Sequence, residues 1–351
     1  VVATGIGSWP GHDVREALRV VRGELAPDAA PDGVAALPYL PELPARGPGA
    51  DMIGRTAQLL VDLPVDLQPQ GWRLVDRPGR DAERARSLWR QDLDELAEVF
   101  DGYAGPLKVQ VVGPWTMAAA LWKSLGDKVL GDPGATRDLA DSLAEGVGTH
   151  LRQVRSLVPG AQLVLQVDEP SLTAVRQGHI RSESGLRVLR TPEAEELVQL
   201  LARTVEGART AGAVRVVAHS CAAGVPVEVF QQAGADAVSL DVTLLDRRGW
   251  EAVGALLDGG MSLWAGVLPV EGGADATSGR PRGQERKERR DQRTRLEDLV
   301  RTWRELGLPL ADLNRLGVTV PCGLAGLTPD TARRTTVATV RAAEWLAGAS
   351  A

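Results

Sequence analysis

Eight short runs of β-branched and aliphatic residues, most of them followed by a longer stretch with helical spacing, constrain this chain more than any other feature. The runs are residues 1–8, 35–40, 107–112, 163–167, 214–218, 237–240, 262–268 and 317–320. In residues 14–25, 82–100, 136–157, 194–211 and 296–306, Leu and Val recur every three to four positions, the spacing of amphipathic helices. Strands joined through helices pair in parallel, because each helix carries the chain back to the end where the previous strand began. Eight such strands in 351 residues lead to an α/β fold, a single (β/α)8 TIM barrel over residues 1–351, with a doubly wound open sheet as the alternative. Thr191-Pro192 and Thr328-Pro329 read as helix starts with proline in the first position. Residues 38–79 are rich in Pro and Gly and weak in periodicity. They read as a long loop after the second strand, with a short helix near 51–63, and long loops on a barrel often shape its active site.

Composition narrows the partners. A chain that is 44% hydrophobic with a net charge of −6 has no evident use for nucleic acid or an anionic membrane. No apolar run approaches the length of a transmembrane helix. The opening VVATGIGSWPG lacks the basic and long apolar segments of a signal peptide, so a cytoplasmic location is expected. Two cysteines exclude a disulfide framework and make their own placement informative. Residues 280–295 hold eight basic and three acidic side chains and read as a flexible loop running into a solvated helix.

Chemistry concentrates where the strand-like runs end. Gly5-Ile6-Gly7-Ser8-Trp9-Pro10-Gly11 differs from a dinucleotide fingerprint, since its third glycine comes one residue late and no acidic residue closes a second strand. Its backbone N–H groups suit a small carboxylate instead. His219-Ser220-Cys221 follows the fifth run, and strand residues i and i+2 share a face, so the imidazole and thiol emerge side by side. They suit one metal ion; the alternative is a buried cysteine beside a hydrogen-bonded histidine. Pro321-Cys322-Gly323 ends the eighth run, on the same catalytic face of a barrel. Cys221, Cys322 and His219 make a zinc set, with Asp241 at the end of the sixth run as fourth ligand, unless Asp241 caps the next helix. Such a site can exchange its carboxylate for a substrate thiol and lower that thiol's pKa. Gln166-Val167-Asp168-Glu169-Pro170 ends the fourth run. Adjacent strand carboxylates face opposite ways, so one can hold a substrate ammonium while the other pairs inside the wall; both being structural ion pairs is the alternative. Trp9 and Trp115 stand at strand ends, where they could line a pocket.

Taken in order, these motifs resemble the C-terminal catalytic barrel of cobalamin-independent methionine synthase, a fold shared with uroporphyrinogen decarboxylase and corrinoid methyltransferases. Ile6-Gly7-Ser8-Trp9-Pro10 is similar to that family's IGS(F/W)P loop, which implies that Ile6, Gly7 and Ser8 hold the carboxylate of homocysteine. The resemblance of residues 166–170 to Q(V/I)DEP implies that Asp168 contacts the amino acid ammonium. His219-Ser220-Cys221 is similar to the HxC zinc pair, Cys322-Gly323-Leu324 to the CGL motif, and residues 235–241 to ADVITIE, with Asp241 where the Glu ligand stands. Gly113-Pro114-Trp115-Thr116 is similar to GPxT and brings Trp115 in as a binding residue.

The departures are equally specific. The family has two barrels, the N-terminal one helping to hold a polyglutamyl folate, and this chain has one. Residues 50–54 resemble NDMVE, but Gly54 replaces the Glu that contacts the amino acid. Glu271 replaces a His that carries protons, and the folate-stacking Trp falls on Ala120, with Trp122 two residues on. The resemblance implies a zinc-dependent thiol methyltransferase with Zn2+ as cofactor, homocysteine as the simplest acceptor and methionine as product. Glu271 would serve as proton carrier and a folate or corrinoid as donor. Transfer from a methylcorrinoid to another thiol is the alternative, and a decarboxylase-like relative is a third, against which the zinc set argues.

Overall fold

A computed structural model describes residues 1–270 and 282–350, with side chains from residue 290 onward in the second segment. Eight parallel strands form one curled sheet: β1 (Val2–Ala3), β2 (Ala35–Ala36), β3 (Ala104–Val112), β4 (Gly160–Asp168), β5 (Arg215–Ser220), β6 (Ala237–Asp241), β7 (Ser262–Gly266) and β8 (Gly317–Thr319). Their order is β2-β1-β8-β7-β6-β5-β4-β3. The two outermost strands approach each other through a bridge at Tyr39 and Lys108, where Lys108 N donates to Pro38 O (2.9 Å) and Leu40 N to Lys108 O (3.0 Å). The sheet thus curls as in a TIM-like barrel, with helices outside.

The inner face follows the two-residue period of a strand. Leu37, Val164, Val217, Ala237 and Trp264 form an apolar plug toward the amino ends of the strands. Further along the same faces stand Lys108 and Gln110 on β3, Gln166 and Asp168 on β4, His219 on β5 and Ser239 on β6, all buried. The intervening Val109, Val111, Leu165 and Val167 belong to the main core outside the sheet. Strands buried on both faces are expected of a parallel sheet; polar residues at period two inside them mark a built interior.

Each of the eight runs contains a strand, though the first two are much shorter than expected, the seventh ends two residues early and the eighth one. β1 ends at Ala3, and beyond it the Ile6 carbonyl turns inward, accepting from Lys108 Nζ (2.6 Å) and Gln166 Nε2 (2.9 Å). The chain touches strand geometry again only at Ser8, opposite Glu42. Residues 38–79 are more structured than a loop: they hold a helix, Met52–Ala57, and a hairpin of Val65–Gln68 and Gly71–Leu74. The helix is shorter than the 51–63 expected, and Asp51 caps it by accepting from Gly54 N. The basic segment, expected to begin as a loop, is helical from its first described residue in Arg282–Glu305. Thr191-Pro192 lies before a helix that begins at Ala194, whereas Thr328 does precede the long helix Pro329–Ser350. Among the described residues no helix is long and apolar enough to cross a membrane.

Candidate active site

The carboxyl ends of the strands collect the sequence-predicted residues. The chain leaves β5 through His219 and Ser220 to Cys221, and leaves β8 through Val320 and Pro321 to Cys322. The two thiols meet with Sγ atoms 3.8 Å apart. Two sulfurs bound to one tetrahedral zinc at about 2.3 Å each would also stand about 3.8 Å apart. The Cys221 thiol donates to Cys322 Sγ, so the pair shares a proton. The Cys322 thiol is thereby lowered to about 6, and that of Cys221 is raised.

His219 is buried, and its Nδ1 faces the Ser239 carbonyl at 3.1 Å. A carbonyl only accepts, so Nδ1 carries the proton and Nε2 keeps its lone pair. Burial, reinforced by the charge of Lys108, lowers this imidazole to about 4, and it is neutral at neutral pH. Asp241 ends β6. Its Oδ1 accepts from Thr243 N (3.0 Å) and Thr243 Oγ1 (2.6 Å), so it caps the following turn and keeps Oδ2 available. Among the described residues no three His, Cys, Asp or Glu side chains are gathered around one metal-sized point. What fits zinc is the donor chemistry: two thiols in contact and an imidazole oriented by its other nitrogen.

Beneath this rim lies a buried polar layer in which Lys108 and Glu42, outside every sequence motif above, join Gln166 and Asp168. Lys108 is fully buried, its Nζ donating to Ile6 O (2.6 Å) and Gln166 Oε1 (2.7 Å) beside the face of Tyr39. Gln166 Nε2 donates to Ile6 O and to Asp168 Oδ1 (2.7 Å). Burial lowers Lys108 to about 7, against the pull of the Asp168 and Glu42 carboxylates. Burial and Glu42 raise the Asp168 carboxyl, and Lys108 offsets them. Glu42 is itself buried at 7% exposure, 3.6 Å from Arg55, and its backbone pairs with both Gly7 O and Trp9 N. The signal for Lys108 was available: Lys108 and Gln110 alternate with valines in 107–112 as Gln166 and Asp168 do at the end of the next strand, and Gln110 stands in register with Gln166.

Asp168 and Glu169 face opposite ways, as adjacent strand residues must. Glu169 accepts from Trp115 N (2.9 Å), Thr116 N (2.7 Å) and Thr116 Oγ1 (2.6 Å), closing the start of helix Pro114–Ala120 from the neighbouring strand. Burial raises it to about 7, while these donors hold it down. Trp115 belongs to that wall: its ring is fully buried and Nε1 donates to Leu197 O (2.9 Å), so it lines helix Ala194–Thr210 and not the mouth. Ser8 lies against the Cys322 turn. Leu324 N donates to Ser8 O (2.9 Å), and a Cβ on Gly323 would overlap Ser8 Oγ. At Gly54 a Cβ would come within 2.7 Å of both Trp72 and the Gly49 backbone, so this position has no room for a carboxylate arm. Glu271 lies outside the described residues.

No protein-family model and no curated protein matches the chain. Solved structures do. A B12-independent methionine synthase from Shewanella sp. W3-18-1, in complex with selenomethionine, is similar over 72% of this chain at 15% identity and TM-score 0.45. The chain spans 65% of that protein's length. A beta-galactosidase from Marinomonas ef1 matches at 13% identity and TM-score 0.35, covering 87% of this chain and 58% of its own. A glycoside hydrolase family 5 enzyme from Prevotella bryantii B14 matches at 10% and 0.33, over 82% and 97%. Likeness at this level carries no argument about chemistry, which rests on the side chains.

Proposed function

We propose that the chain is a zinc-dependent S-methyltransferase on a closed (β/α)8 barrel, with homocysteine as the simplest acceptor and methionine as the product. The observation that carries this reading is the thiol pair, 3.8 Å apart at the ends of β5 and β8, with His219 two residues before Cys221 and its Nδ1 already engaged. Cys221, Cys322 and His219 Nε2 would hold the ion, with Asp241 Oδ2 completing the shell. Bound zinc supplies the positive charge that keeps a thiol ionised near neutral pH. Asp168 receives the substrate ammonium, and the N–H groups of Gly7 and Ser8, with the Ser8 hydroxyl, receive its carboxylate. The substrate sulfur then attacks the donor's methyl carbon: the S–C bond forms as the donor–methyl bond breaks, and that electron pair leaves with the donor. Glu271 takes the thiol proton. The partners are a small thiol and a methylated folate or corrinoid, and reduced cysteines suit a cytoplasmic setting.

A second reading keeps the zinc and changes the acceptor to another thiol. The closed space at Gly54 favours it, because the carboxylate implied there by the resemblance has no place. One experiment addresses both. Zinc is counted in wild type, Cys221→Ser and Cys322→Ser purified under reducing conditions. The proteins are then offered homocysteine or ethanethiol with 5-methyltetrahydrofolate or methylcobalamin. The expected result is one zinc per chain, lost in both variants together with methyl transfer. Zinc retained by either variant, or methylation unaffected by both, overturns the proposal.

A further inference from the structure

We propose that Lys108 is a positioning residue: its ammonium fixes the orientation of the Gln166 amide, and through it the bearing of Asp168 and of the 6–8 loop toward an amino acid thiol. The proposal rests on the reading above and adds to it a residue that touches neither substrate nor metal. The two ends of a glutamine amide are nearly the same shape, so its neighbours decide which end points where. As an ammonium Lys108 Nζ only donates, so at 2.7 Å from Gln166 it takes the amide oxygen. Nε2 is thereby turned toward two acceptors, Ile6 O at 2.9 Å and Asp168 Oδ1 at 2.7 Å. Oδ1 is engaged, and Oδ2 is the oxygen left for a substrate ammonium.

The same ammonium acts on the loop. Ile6 O receives both Lys108 Nζ and Gln166 Nε2. In a trans peptide the carbonyl and the following N–H point in opposite directions, so drawing Ile6 O into the barrel turns Gly7 N–H away from it. Among the described residues the N–H groups of Gly7 and Ser8 donate to no protein acceptor, and they are the groups proposed for the substrate carboxylate. One fully buried charge thus sets both recognition elements of an α-amino acid: the anion that meets its ammonium and the N–H groups that meet its carboxylate. Without Lys108 nothing selects the amide orientation, and a flipped Gln166 would aim its oxygen at Ile6 O and Asp168 Oδ1, placing three acceptors together.

The test separates amino acid recognition from thiol binding. Homocysteine and ethanethiol are titrated by calorimetry into zinc-loaded wild type, Lys108→Met and Gln166→Glu. Ethanethiol has the sulfur and neither charged group. Losing a hydrogen bond to a charged group predicts homocysteine binding weakened about tenfold or more in both variants, with ethanethiol within about twofold of wild type and zinc content unchanged. A merely structural lysine would weaken both ligands alike, and that result, or unchanged homocysteine binding, overturns the proposal. If Lys108→Met does not fold, Gln166→Glu, which keeps the shape and replaces the Nε2 donor with an acceptor, decides by the same ratio. Wild type that binds ethanethiol and not homocysteine instead defeats the amino acid reading, a failure seen before any variant is compared.

Discussion

His150 is a buried group that should make the protein acid-labile. It lies on the inner face of helix Pro133–Leu157, 2% exposed, its ring 4.7 Å from that of Trp89. Neither ring nitrogen has a hydrogen-bond partner among the described residues. Burial, reinforced by Arg55, lowers its pKa to about 3 from an ordinary 6.5. Below pH 6.5 the unfolded chain binds a proton that the folded chain refuses. Stability from this site is therefore fully present above pH 6.5 and is lost progressively as pH falls toward 3. At pH 4.5 the loss covers two pH units, about 2.7 kcal/mol at roughly 1.4 kcal/mol each. His150→Phe keeps an aromatic ring against Trp89 and cannot titrate. Urea unfolding of both proteins at pH 7.0 and pH 4.5 gives four free energies. Wild type should lose about 2.5 kcal/mol more than His150→Phe between the two pH values. Any overpacking by the larger ring is independent of pH and cancels in this double difference, as do the carboxylates common to both proteins. Parallel losses, agreeing within about 0.5 kcal/mol, would refute the reasoning.

Two further outcomes follow from the site. Glu169→Ala orphans two buried backbone N–H groups at Trp115 and Thr116 and should cost about 2–6 kcal/mol, read as a lower urea midpoint; a shift worth under about 0.5 kcal/mol would show that those groups find other partners. In metal-free protein, iodoacetamide should modify Cys322 with a rate whose pH midpoint lies near 6, since the Cys221 thiol donates to it. Cys221→Ala should move that midpoint upward, and an unmoved midpoint would remove the hydrogen bond as its cause.

Much of the candidate site could be read from the sequence because its residues fall at strand ends, and the hydrophobic runs locate strand ends well. Strand-end position picks out His219, Cys221, Asp241 and Cys322 in the sequence, and the structure puts all four at the carboxyl ends of β5, β6 and β8. Asp168 and Glu169 diverge as strand alternation requires. Trp115 misled because a strand end looks the same in sequence whether the next side chain turns toward the mouth or into the wall. Lys108 went unremarked because a lysine inside an apolar run reads as a breach in the pattern; its meaning comes from Gln166 and Ile6, 58 and 102 residues away in sequence. The hairpin of 65–74 leaves no sequence signal for a related reason: its strands are four residues each, too short for alternation to stand out among prolines and glycines.

The sequence by itself determined the parallel α/β architecture, the order of its eight strands along the chain and the strand ends where the candidate site residues lie, because these depend on local periodicity and on the direction in which a helix returns the chain. Only the tertiary structure decided which of those ends meet. The contact between Cys221 and Cys322 spans 101 residues. It depends on how the sheet curls to bring the ends of β5 and β8 toward a common mouth. The orientation of Asp168 was likewise beyond any local signal, since it is set by a buried ammonium and an amide whose pairing exists only once two neighbouring strands and the first loop have packed together.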